Sequence, residues 1–107
     1  MTWWPTYPTP NDWLLGMFKT EKKALFNLSH YSNLKVDTLI DEGVKMEGID
    51  RDAAIKAYGL AQKIIVEDAA AIFYADIAAR TIKRASVQGY VYNPAYNGLF
   101  FYQLYRK

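Results

Sequence analysis

"NLKVDTLIDEGVKMEGIDRDAAIKAYGLAQKIIVED" (Asn33–Asp68) is the stretch whose reading decides the fold. Asn33 stands where an N-cap belongs, its short side chain able to accept from the first free amides of a helix. From about Leu34 to Glu47, Val36, Leu39, Ile40 and Val44 form an apolar stripe, while Lys35, Asp37, Asp41 and Lys45 face water. Gly48 is placed to stop that helix. Asp50 then caps a second one, with Asp52 favourably set in its first turn against the helix dipole. From about Arg51 to Glu67, Ala54, Tyr58, Ala61 and Ile65 recur at helical spacing, and Ala57, Leu60 and Ile64 widen the stripe. Two such helices joined by the short "EGID" link form an αα-hairpin.

Upstream, "TWWPTYPTPNDWL" (Thr2–Leu14) holds all three tryptophans and three of the four prolines, so it cannot be a helix interior or a central strand. It reads as a stiff, extended loop. Its Trp3, Trp4 and Tyr7 either plug a core edge or line a ligand site, and the residues alone leave both open. Asn11 is placed to cap a short helix over roughly Asp12 to Phe18, with Trp13, Leu14, Met17 and Phe18 on one face. Trp13 is therefore expected in the core. "KTEKKALFNLSHYSN" (Lys19–Asn33) has no clean period and reads as a connector.

Downstream of Asp68 the period changes. Ile72, Phe73 and Tyr74 suggest a buried strand with "RTIKRAS" as an exposed continuation. Gln88-Gly89 marks a turn, "YVY" a short strand, and "NPAYNG" a loop. Leu99–Tyr105 reads as a strand with apolar residues on both faces, which calls for cover on both sides and favours self-association where cover is lacking. Tyr58, Phe73, Tyr74, Phe100 and Tyr102 are expected mainly in the core. The fold class is α+β: a helical hairpin packed on a small mixed or antiparallel sheet. At 107 residues the chain forms one domain.

Composition excludes several functions. The net charge is +2, and Lys19/Lys22/Lys23, Lys83/Arg84 and Arg106/Lys107 are scattered among eleven acids rather than gathered into the basic face of a nucleic-acid module. No nucleic-acid partner is expected. With no cysteine there is neither a disulfide framework nor a thiolate zinc site, and no metal site or other cofactor is expected. No apolar run approaches the ~18 residues of a membrane span, and residues 1–15 lack the pattern of a signal peptide.

His30 is the single histidine, and its neighbours Ser29 and Ser32 do not by proximity make a nucleophile–base pair. The acidic pairs Asp41/Glu42, Asp50/Asp52 and Glu67/Asp68 are explained by capping and solvation. No phosphate-cradling glycine pattern is present. Asn27-Leu28-Ser29 matches a glycosylation acceptor, a pattern too short to be specific. No catalytic residue is assigned, and an enzyme is not expected. Aromatics at 16% of the chain supply better material for binding, since Trp and Tyr offer large contact area with few rotors.

The segments "WWPTYPTPNDWL", "NLSHYSNLKVDTLIDEG", "DRDAAIKAYGLAQKIIVEDAAAIFY" and "VQGYVYNPAYNGLFFYQLYR", in that order, resemble the C-terminal part of family 5 extracellular solute-binding proteins. These are the oligopeptide, dipeptide and nickel receptors of ABC importers. The resemblance covers essentially the whole chain, and it implies a piece of a longer, two-lobed periplasmic-binding-protein-like receptor, an implication that suits the abrupt tryptophan-rich start and strand-like end. Residues 1–90 would belong to the C-terminal lobe and 91–107 would return toward the N-terminal lobe.

The implied function is solute capture, without catalysis, of a peptide or similar small solute in a cleft between lobes, and delivery to ABC permease subunits. The implied location is periplasmic or extracellular, with lipid anchoring at the membrane surface among the forms the family takes. By the resemblance, Trp3, Trp4, Thr6 and Tyr7 are the ligand-binding residues. Thr6 stands where amine-recognising members carry an aspartate. That departure brings in an oligosaccharide or other neutral ligand as a competitor, and a stand-alone aromatic-rich carbohydrate-binding module is a further alternative. The remaining lobe of the parent is an expected partner, and the isolated piece is expected to self-associate.

Overall fold

The computed structural model describes residues 6–75, 80–93 and 98–107. Three helices and one two-stranded antiparallel ribbon make up its regular structure, which is α+β: α1 (Pro10–Phe18), α2 (Leu34–Met46), α3 (Arg51–Glu67), β1 (Val87–Gln88) and β2 (Tyr105–Arg106).

The hairpin of α2 and α3 forms as the capping residues dictate. The Asn33 side chain accepts from the amides of Lys35 and Val36, and the Asp50 side chain from that of Ala53. Val36, Ile40, Ala54, Tyr58, Ala61 and Ile65 are buried together, joined by Leu14 and Phe18 of α1. The stripe on α2 is narrower than its spacing implies, for Val44 is exposed and Leu39 only half-buried. Gly43 takes the contact position instead: a Cβ there would overlap the Tyr58 ring, so the absent side chain admits the aromatic. On α3, Leu60 likewise turns out to solvent. Gly48 follows the α2 cap without a left-handed φ, the chain turning through amides of Ile49 and Asp50 that both donate to the Met46 carbonyl, at 2.9 and 2.8 Å.

The end of α3 is a full Schellman arrangement. The Ala70 amide donates to Ile65 O and that of Ala69 to Val66 O, both at 3.1 Å, with Ala69 at φ +50°. An alanine occupies the position that ordinarily falls to glycine.

Helix α1 begins two residues before the expected start. Thr9 is its cap and Pro10 its first residue, a position where proline loses nothing because that amide is unsatisfied in any case. Asn11 is buried within the helix rather than capping it. Trp13 is not in the core. It is 37% exposed, since Leu14 and Phe18 point at the hairpin and a residue one position earlier is turned about 100° to the flank.

The connector is ordered by two side chains. Asn27, 2% exposed, donates to the carbonyls of Lys19 (3.0 Å) and Tyr31 (2.7 Å) and accepts from the Tyr31 amide and the Ser29 hydroxyl. A buried amide so engaged is no acceptor for a glycan in the folded chain. One Glu21 carboxylate oxygen accepts from the amides of Leu25, Phe26 and Asn27, and these bonds, Leu25's foremost, hold its pKa below the usual carboxylate value. An ion pair from Lys19 to Asp41 and a bond from the Thr20 amide to Asp37 fasten the connector to α2.

Beyond α3 the expected sheet is not found. Ile72, Phe73 and Tyr74 form no strand and are 89%, 60% and 87% exposed. Leu99–Tyr105 is not a strand either: Phe101–Gln103 is a single 3-10 turn, and only Tyr105–Arg106 pairs, with Val87↔Arg106 and Gln88↔Tyr105 in register. No strand forms over 90–92, while residues 94–97 of the "NPAYNG" loop lie outside the described residues. Gly89 does take a positive φ, +79°, and a Cβ there would collide with the Gln103 carbonyl. The ribbon packs on none of the three helices, so the hairpin is not laid on a sheet. The physical reason is supply. Apolar segments with both faces to cover need layers above and below, and these residues have none to spare. The Cα radius of gyration is 17.7 Å, against about 13 Å for a compact domain of this length.

Candidate functional site

The candidate residues lie on the stiff loop that leads into α1. Trp3 and Trp4 fall outside the described residues. Thr6 and Tyr7 are both exposed. The Thr6 amide donates to Asp12 Oδ2 at 2.9 Å, and the Thr9 amide to Tyr7 O at 2.9 Å, so the loop is folded back on the first turn of α1. Asp12 is buried there, its negative charge set favourably at the helix N-terminus. Thr9 Oγ1 and Asn11 Oδ1 are buried without a hydrogen-bond partner among the described residues, two acceptors held beside this loop.

The loop faces the turn between α2 and α3. Pro8, Thr9 and Pro10 on one side, and Glu47, Arg51 and Ile55 on the other, enclose a groove of about 670 Å³. Deeper in, the Tyr58 hydroxyl donates to Glu47 Oε1 at 2.7 Å. Burial first, then that carboxylate, raises the Tyr58 pKa. The structure thus sets Pro8, Thr9 and Pro10, which directly follow Thr6 and Tyr7, along a groove with one acid and one guanidinium on its far lip. Glu47 and Arg51 were not picked out by sequence reasoning. The signal was the "EGID" link itself, whose ends must project polar side chains where two helices turn.

Among the described residues no hydrogen bond couples His30 to either neighbouring serine. Ser29 donates to Asn27, and Ser32 accepts from Thr20. Among the described residues no group of three His, Asp or Glu side chains converges as a metal site would require. No helix is long and apolar enough to cross a membrane, again among the described residues.

Comparison with known proteins finds no family model and no solved structure that matches. The chain is similar to the "Probable D,D-dipeptide-binding periplasmic protein DdpA" of Escherichia coli (strain K12), at 29% identity over 99 residues. The match covers 92% of this chain and 19% of that protein, so the chain spans about a fifth of the length of the relative it matches.

Proposed function

We propose that this chain is part of the C-terminal lobe of a two-lobed solute-binding protein, a member of extracellular family 5, that captures a peptide or similar small solute and delivers it to an ABC permease outside the cytoplasm. The observation that carries the reading is similarity along nearly the whole chain to a protein named for binding D,D-dipeptides in the periplasm. The loop geometry supports it. A proline-stiffened segment bears exposed Thr6 and Tyr7 directly before the residues Pro8–Pro10 that line a groove, and Trp3 and Trp4 precede them in the sequence. In this reading Trp3, Trp4, Thr6 and Tyr7 form one wall of the solute cleft, and the other lobe supplies the facing wall. Lobe closure then buries the solute, with aromatic surface giving contact and a few polar groups giving orientation.

Thr6 decides between ligand classes. A hydroxyl hydrogen-bonds a ligand but does not supply the charge-assisted contact that a buried ammonium needs. Peptide capture here therefore leans on backbone and side-chain contacts rather than on the peptide amine, and an oligosaccharide stacked on the tryptophans is the second reading that Thr6 favours. Calorimetric titration of a receptor chain carrying this segment, with D-alanyl-D-alanine and its N-acetyl form, separates the two. Binding of both within about tenfold, ~1.4 kcal/mol, is expected. Failure of both with binding of an oligosaccharide establishes the second reading, and failure of all three overturns the assignment.

A further inference from the structure

The net charge of +2 conceals a division along the chain. All eleven acidic side chains, with eight of the thirteen basic ones, lie at or before Asp76. The other five, Arg80, Lys83, Arg84, Arg106 and Lys107, follow with no aspartate or glutamate among them. The ribbon then gathers what the sequence keeps apart. Antiparallel pairing sets Val87 opposite Arg106, and the Lys107 amide donates to Ser86 O at 2.9 Å. The Lys83 ammonium donates to Val87 O at 2.8 Å, and the Val87 amide to Arg84 O at 2.9 Å. Lys83/Arg84 and Arg106/Lys107 thus meet at one end of β1 and β2. All five cations are exposed, and among the described residues none enters an ion pair.

Like charges collected without counter-charges attract an extended anion, and the residues between them identify its kind. Ile82, beside Lys83, is 98% exposed, Val91 is exposed, and Tyr102 and Tyr105 stand exposed just before Arg106. The Thr81 and Tyr90 hydroxyls are 2.9 Å apart, which holds the segment bearing Ile82 against the ribbon. A nucleic acid is recognised by rings that stack on its bases, and bare aliphatic side chains contribute nothing to that. An anionic bilayer engages both classes: headgroups draw Lys and Arg, while aliphatic and aromatic side chains enter the interface beneath them. Folded protein is a poorer cover, because each buried cation would need an acid to offset its lost hydration. A purely apolar face sets no such condition.

We infer that this ribbon binds the surface of an anionic phospholipid bilayer, its cations on the headgroup phosphates and Ile82 in the interface. Vesicle binding is read without solute, so its outcome is separate from that of the solute-binding reading. The test is cosedimentation of the 107-residue chain, and of a receptor chain carrying this segment, with two kinds of vesicle. One is phosphatidylcholine and phosphatidylglycerol in equal parts, the other phosphatidylcholine alone. Both chains are expected to bind the mixed vesicles at least about tenfold more tightly than the neutral ones, and to be released by added salt. Arg84→Glu with Arg106→Glu is expected to weaken that binding at least about tenfold. Lys22→Glu with Lys23→Glu, on the connector, is expected to leave it within about twofold. All four side chains are exposed, so the helical circular-dichroism signal is expected to persist. No binding to the mixed vesicles, or binding indifferent to the ribbon substitutions, would overturn the inference. So would binding by the 107-residue chain alone, which would place the ribbon beneath the rest of a longer chain, or equally tight binding of a single-stranded oligonucleotide.

Discussion

The Tyr58 hydroxyl donates a 2.7 Å hydrogen bond to Glu47 across the turn that joins α2 to α3, while the ring of the same tyrosine fills the gap left by Gly43. One side chain thus closes the hairpin twice, by packing in its middle and by a charge-assisted bond at its end. Tyr58→Phe keeps the packing and loses the bond, an expected cost of about 1.5 kcal/mol. Gly43→Ala tests the packing. Alanine favours a helix by about 1 kcal/mol over glycine, yet its Cβ must displace the ring, so a net loss of about 1–2 kcal/mol is expected in urea unfolding. A stabilised Gly43→Ala variant would show that the ring is not held there.

Ala69 sits at φ +50° in the Schellman turn that ends α3. Ala69→Gly is expected to stabilise the chain by about 1 kcal/mol, because glycine adopts this conformation without the Cβ penalty. A lower unfolding midpoint would mean that the turn is not formed in solution.

Asp68, next to that turn, accepts from the Tyr31 hydroxyl at 2.6 Å and from Asn33 Nδ2 at 2.9 Å, tying the start of α2 to the end of α3. The two bonds, Tyr31's first, lower the Asp68 pKa. Burial, then Asp68, pushes Tyr31 up to about 12. The signs follow by linkage. Asp68 contributes stability that is present above the unfolded value of about 3.9 and lost as pH falls through its lower folded value. Tyr31 contributes stability that is present below its unfolded value of about 10 and lost as pH rises toward 12. Thermal midpoints across pH are therefore expected to fall at both ends, with Asp68→Asn flattening the acid limb and Tyr31→Phe the alkaline one. Unchanged limbs in both variants would contradict the tie.

Asn27→Ala removes four hydrogen bonds from a side chain that is 2% exposed. It should cost about 2–3 kcal/mol, since the two carbonyls it serves are left short of a donor. Asn27→Asp should be no milder, for a carboxylate would face those carbonyls. Equal stability of either variant with the parent would show that the connector is not organised around this residue.

The hairpin was legible because its signals are local. A cap and an apolar period lie within a few residues of each other, and Ala54, Tyr58, Ala61 and Ile65 are buried as their spacing requires. The last forty residues were not legible for a matching reason. Apolarity at Ile72–Tyr74 and Leu99–Tyr105 announces a need for burial, but whether a strand forms depends on neighbours, and the structure supplies few. Trp13 misled because one helical position decides between core and flank. Of the candidate site, the stiff loop with Thr6 and Tyr7 was readable from its prolines. The far lip at Glu47 and Arg51 was not, since it meets that loop only through tertiary packing some forty residues along the chain.

The central claim is that the aromatic loop forms a wall of a solute cleft shared between two lobes. Its most direct test is calorimetric titration of D-alanyl-D-alanine into a two-lobed receptor chain carrying this segment, compared with its Trp3→Ala and Trp4→Ala variants, with thermal midpoints recorded alongside. The account predicts affinity weakened by about tenfold or more, ~1.4 kcal/mol, with little change in midpoint. Unaltered affinity with sharply lowered midpoints in both variants would make these rings core and contradict it.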